Sequence, residues 1–101
     1  MRVEFHPEAQ EEFRAAAEFY EMQQRGLGAR FVAAVESCIA RIALAPTSWR
    51  IVEDDVRRCL TKVFPYAALF TIEDGFILII AVTHCRREPG YWRNRIEIGL
   101  T

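Results

Sequence analysis

The period of the hydrophobic pattern changes along the chain, and each change marks an element. Met1 to Phe5 alternates, with Val3 and Phe5 set against Arg2 and Glu4, the signature of a short half-buried strand. His6-Pro7-Glu8 then puts a proline and an acid where a helix should begin. From there Ala9, Phe13, Ala16, Ala17 and Tyr20 recur on one stripe, with Glu11, Glu12, Glu18 and Glu21 on the remaining positions, as on an amphipathic helix. The helix is expected to end near Arg25-Gly26, because glycine readily takes the left-handed cap conformation.

A second helical stripe of Phe31, Val35, Ile39 and Ile42 opens at Leu27-Gly28 and is bounded by Pro46. The short link at Gly26 predicts an antiparallel hairpin. Such a hairpin needs a sheet to cover its apolar stripes, and the second half supplies one. Val56 to Phe64 reads as a strand with arginines at its start, and Tyr66 to Glu73 as another. Asp74-Gly75 is a hairpin turn in which Gly supplies the positive φ. Phe76 to His84 is almost continuously apolar, as expected for a central strand covered on both faces. The predicted fold is α+β, in the order β-α-α-β-β-β, a helical hairpin packed on a mainly antiparallel sheet. No repeat, low-complexity segment or Ser/Gly linker divides the chain, so a single domain over residues 1–101, ordered nearly from end to end, is expected.

A chain of 101 residues buries roughly two-thirds of its unfolded surface, enough for a core without staples. The longest apolar stretch, Phe76 to Val82, is far shorter than the roughly 20 residues of a membrane-spanning helix. The start, Met1-Arg2-Val3-Glu4-Phe5, lacks the apolar stretch of a secretory signal, and a cytosolic protein is expected. Cys38, Cys59 and Cys85 are odd in number, widely separated and outside any C-x-x-C spacing. They read as reduced, small hydrophobes, with no disulfide framework, metal or cofactor. Cys85 adjoins His84, but neighbours on a strand point to opposite faces.

Net charge is −1, which argues against wholesale coating of nucleic acid, yet the charge is unevenly placed. Between His84 and Arg95 stand Arg86, Arg87, Arg93 and Arg95 against Glu88 alone, a local charge of +3. Of the 13 basic residues only Lys62 is a lysine. The planar arginine fork pairs with phosphates and carboxylates, so the bias suits an anionic partner.

Several stretches resemble the RelE/ParE superfamily of bacterial toxins. Val3-Glu4-Phe5-His6-Pro7-Glu8-Ala9 resembles the family's opening, Glu18-Phe19-Tyr20-Glu21 the end of its first helix, and Gly26-Leu27-Gly28-Ala29-Arg30-Phe31 its interhelical link. Val56-Arg57-Arg58, Phe64-Pro65-Tyr66 and the run from Ala81 to Arg93 follow in the family's order. The resemblance implies a growth-inhibiting toxin silenced by a cognate antitoxin encoded beside it.

It also implies a choice of target. RelE-like members cleave messenger RNA on the ribosome, whereas ParE-like members inhibit DNA gyrase with no known hydrolytic step. A nuclease needs a base for the 2′-hydroxyl, cations for the phosphorane and an acid for the leaving oxygen. His84, Arg86 and Tyr91 are the candidates for those roles. Arg57, Arg58, Lys62, Arg87, Trp92, Arg93 and Arg95 are the candidates for target binding. Against cleavage, the strand Tyr66-Ala67-Ala68-Leu69-Phe70 carries Ala67 where similar RelE sequences carry a catalytic arginine. Val52-Glu53-Asp54-Asp55 also replaces their lysine-rich segment. Gyrase inhibition is therefore the favoured expectation, with ribosome-dependent endonuclease as the alternative and an inactive antitoxin-binding member as a third reading.

Each candidate also has a plain structural role. His84 ends a strand, Tyr91 and Trp92 suit a lid over the core edge, and Pro89-Gly90 is a turn. Arg57 and Arg58 face opposite ways, one of them expected to pair with Asp54 or Asp55. His6 reads as a local packing residue.

Overall fold

Strand β1 (Arg2–Phe5) gives way to helix α1 (Pro7–Gln23) at a cap formed by His6. The His6 ring accepts the Glu8 N–H through Nδ1 at 3.1 Å, satisfying an amide that has no partner within the helix. The computed structural model describes residues 1–99; the expected order of the final two positions lies outside the described residues. Helix α1 stops at Gln23, two residues before the expected Arg25-Gly26 boundary, and α2 (Leu27–Leu44) follows directly.

Two glycines make that tight reversal possible. Gly26 holds φ at 86°, in the left-handed region where a side chain is strained. At Gly28 a Cβ would stand 2.7 Å from the Ala17 carbonyl oxygen, so glycine permits the close approach of the helices. The Glu21 carboxylate then accepts the Gly26 and Gly28 N–H groups at about 3.0 Å, capping the free amides of α2 from the neighbouring helix.

After a short 3-10 turn (Pro46–Ser48) come β2 (Arg50–Glu53), β3 (Val56–Leu60), β4 (Tyr66–Glu73) and β5 (Phe76–His84), and finally α3 (Arg93–Gly99). The sheet order is β1-β5-β4-β3-β2. Among the described residues only the β1–β5 pairing is parallel, which agrees with the expected mainly antiparallel sheet and the expected order of elements. β2 and α3 are additions to it. β3 also ends at Leu60 rather than Phe64, because the Thr61 hydroxyl hydrogen-bonds the carbonyl oxygens of Phe64 and Tyr66 at 2.9 and 3.0 Å and turns the chain. Among the described residues no helix is long and apolar enough to cross a membrane.

The sheet has a core on each face. The inner face meets the helical hairpin through Ala9, Ala16, Phe31, Val35, Cys38 and Ile42, packed on Cys59, Ala68, Phe70, Ile77 and Ile79. Phe31 is its hub, with ring centroids 5.1 Å from Tyr20, 5.3 Å from Phe64 and 4.9 Å from Tyr66. The outer face has a smaller core of Val56, Ala67, Leu69, Ile80 and Ala81, closed by Trp92. Cys38 and Cys59 are buried free thiols and Cys85 is exposed.

Candidate functional site

A pocket of about 210 Å³ opens on the outer face of the sheet. Ala67 and Leu69 of β4 and Leu60 of β3 line its apolar part. Arg58 reaches it from β3, and Arg87, Tyr91 and Trp92 reach it from the segment after β5. The geometry follows from strand alternation: Arg58 pairs with Leu69 and Leu60 with Ala67, so all four side chains share one face. Arg57, one residue away, belongs to the other face and donates to the Thr47 and Trp49 carbonyls at 3.1 and 2.8 Å.

The Arg87 guanidinium carbon lies 3.8 Å from the centroid of the Tyr91 ring, held over it by cation–π attraction. It is exposed and makes no ion pair among the described residues, so its fork is available to an anionic group. Arg58 is likewise without a carboxylate; the expected pairing of Arg57 or Arg58 with Asp54 or Asp55 does not form among the described residues. Asp54 instead sits in the turn between β2 and β3 with φ at 50°. The acidic segment makes a different pair, in which Glu53 takes Arg93 through two hydrogen bonds, and the Arg93 guanidinium holds the Glu53 carboxyl below the usual carboxylate range.

Behind the pocket lies a polar hub that the hydrophobic pattern conceals. Glu12, on α1, accepts the Tyr91 hydroxyl at 2.6 Å, two Arg95 N–H groups at 2.9 Å and the Val82 N–H at 3.1 Å. Arg95, only 6% exposed, also donates to the Ile80 carbonyl at 2.8 Å and reaches Glu8 at 3.1 Å. The cause lies in the sheet. β1 ends at Phe5 opposite Ile79, and β5 carries an extra residue, Ile80, in its register with β4. The backbone past Ile79 thus lacks a strand partner on that edge, and Glu12 and Arg95 supply the missing acceptor and donor. Burial and the hydrogen bond to the Glu12 carboxylate push the Tyr91 phenol up to about 12.

The sequence candidates therefore divide. Arg58, Arg87, Tyr91, Trp92 and His84 border one pocket. Trp92, 5% exposed, is the lid of the outer core rather than a free stacking platform. Arg95 is buried in ion pairs and is no part of an exposed binding surface, a correction to its place among the target-binding residues. Lys62 and Arg57 belong to the helix side, away from the pocket. Of the nuclease candidates, His84 and Tyr91 border the pocket and Arg86 does not. β5 ends at His84 and a turn follows, with the Arg87 N–H on the His84 carbonyl at 3.0 Å, so Arg86 does not continue the strand face of His84. His84 Nδ1 accepts the Arg86 N–H at 3.0 Å, and Arg86 does not line the pocket.

Glu12, Glu53 and Leu60 are the contributors that sequence reading missed. Glu12 had a signal: it lies three residues after Ala9 and four before Ala16, within the apolar stripe of α1, where an acid must find buried partners.

The fold is a helical hairpin on a five-stranded sheet, with an arginine-bordered pocket on the outer, more thinly covered face. Residues 3–89 match the family described as ParE toxin of type II toxin-antitoxin system, parDE, and the chain belongs to that family. It is a type II toxin, a class that carries a cognate antitoxin as partner. Among solved structures, a chain of the chromosomal ParDE TA system from P. aeruginosa is similar in fold, with a TM-score of 0.72 and 17% identity over 83% of this chain and 95% of that one. No curated protein matches the sequence.

Proposed function

We propose that this toxin acts as a single domain in the cytosol, inhibiting DNA gyrase by binding through the outer-face pocket and without catalysing hydrolysis. Arg58 and Arg87 are the principal contacts. The observation that carries this reading is the pocket's apolar lining: Ala67, 3% exposed, stands where the resemblance to nucleases calls for a catalytic arginine. At Ala67 a phosphorane would lack the cation that the nuclease resemblance calls for, leaving only Arg58 and Arg87 at the pocket's border. The Tyr91 hydroxyl is already committed to Glu12, which further disfavours proton transfer to a substrate. Antitoxin binding fits the same surface, since a carboxylate-bearing segment laid across Arg86 and Arg87 would neutralise them and cover the pocket.

The test is supercoiling by purified gyrase in the presence of this protein. Inhibition is expected, and its loss with Arg58→Glu and Arg87→Glu while circular dichroism stays unchanged. Undiminished supercoiling at toxin concentrations that arrest growth would exclude gyrase as the target.

A further inference from the structure

Two rims of the outer-face pocket come from parts of the chain that no strand pairing joins. One is Val52 and Glu53 at the end of β2, and the other is Pro89, Tyr91 and Trp92 after β5. β2 is an edge strand of the sheet, with Ile51 50% and Val52 38% exposed. Its register on β3 slips between Ile51 and Glu53, so Val52 has no partner there. A strand end held from one side only, and broken in register, lifts away locally unless a second contact fixes it.

Arg93 supplies that contact. Its Nε and Nη2 donate to the two Glu53 carboxylate oxygens at 2.5 and 2.6 Å, and no other ion pair joins the two rims among the described residues. The pair depends on Gly90. The Gly90 carbonyl accepts the Arg93 N–H at 3.0 Å, and the Arg93 guanidinium folds back into the space that a side chain at position 90 would take. A Cβ there would stand 2.3 Å from the guanidinium carbon, and φ at 85° disfavours any side chain as well. Half-exposed as it is, the pair adds little to stability. A two-pronged fork nevertheless fixes distance and angle together. Arg58 stands on the β3 side of the pocket and Arg87 on the side after β5, so the pair ties together the two sides that carry the target contacts.

We propose that Glu53 and Arg93, seated on Gly90, are positioning residues: they clasp the tip of β2 to the start of α3 and hold the pocket at the width its target requires. The inference rests on the outer-face pocket being the target site. With the clasp closed the target meets a preformed pocket, and binding need not order the β2 tip. With it open the pocket keeps Arg58 and Arg87, on sides that move independently.

The experiment compares the wild-type chain with Glu53→Gln, Arg93→Lys and Gly90→Ala. The first removes the acceptor charge, the second keeps the cation but loses the fork, and the third keeps both charges while displacing the guanidinium. Supercoiling by gyrase is titrated with each chain, and fluorotryptophan labelling reads Trp92 by fluorine NMR, with Trp49 of the inner core as internal control. All three variants should raise the half-inhibiting concentration by about twofold to fivefold, the range that an exposed ion pair supports. They should also shift or broaden the Trp92 resonance while sparing that of Trp49. A change under about twofold in all three overturns the clasp. So does an Arg93→Lys chain that matches wild type beside an impaired Glu53→Gln, since charge rather than position would then be at work. A wild-type chain that leaves gyrase uninhibited sinks the target reading, and Trp92 then decides the clasp: a resonance disturbed in all three variants supports it, and one unchanged overturns it.

Discussion

The two faces of the sheet are covered unequally. On the inner face two long helices and the Phe31 aromatic cluster seal β3, β4 and β5. On the outer face the lid is Trp92 with the segment leading into α3, tied down by Arg95 and Glu12. That lid covers Ile80 and Ala81 and leaves Leu60 half exposed beside Arg58 and Arg87. Stability is concentrated where coverage is complete, and the open pocket lies where it is not. Arg58 and Arg87, without an ion pair among the described residues, border the thinly covered edge, where a partner can reach them.

Substitutions on the two faces should separate accordingly. The largest effect belongs to the inner face: Phe31→Ala should cost about 3–5 kcal/mol of unfolding free energy, read from urea denaturation. Glu12→Ala, at the hinge between the faces, should cost about 2–3 kcal/mol, because it strips Arg95 of its main partner and leaves the Val82 N–H unpaired. A loss under 0.5 kcal/mol there would mean that water replaces Glu12 and that the outer lid is not pinned through it. Arg87→Ala on the outer face should change stability by less than about 0.5 kcal/mol yet abolish growth arrest at matched expression.

The smallest effect is a titration. Folding favours the protonated Tyr91 phenol, because its folded pKa of about 12 exceeds the unperturbed value of about 10. Its contribution is therefore complete below pH of about 10 and is lost as the pH rises toward 12. Burial also raises Tyr20 and Tyr66, and ultraviolet absorbance should show the last tyrosine to ionise lost in Tyr91→Phe and shifted down in Glu12→Ala. A Tyr91 that ionises no later than Tyr20 and Tyr66 would break the link between α1 and the lid.

The inner face was legible in the sequence because period alone specifies it. The stripes of α1 and α2, Tyr66 to Glu73 and Phe76 to His84 were read with the observed strand bounds for β4 and β5. The outer face was less legible. β2 is a short edge strand with Ile51 and Val52 exposed, so burial leaves no alternation to read. Thr61 ends β3 through its hydroxyl, inside a run that looks strand-like to Phe64. Local charge identified the basic segment but not which of its arginines are occupied. Arg95 and Arg93 find carboxylates 83 and 40 positions away, and such pairings depend on the fold rather than on spacing.

The central claim is that the outer face binds its target and does not cut RNA, and mapping transcript 5′ ends after induction of wild type, Tyr91→Phe and His84→Ala tests it most directly. Tyr91→Phe keeps the ring beneath Arg87 and removes only a hydroxyl already held by Glu12. The account predicts growth arrest by wild type and Tyr91→Phe with no codon-phased ends in any sample. Discrete cuts within translated frames that vanish in His84→Ala would contradict it and make the protein an endonuclease.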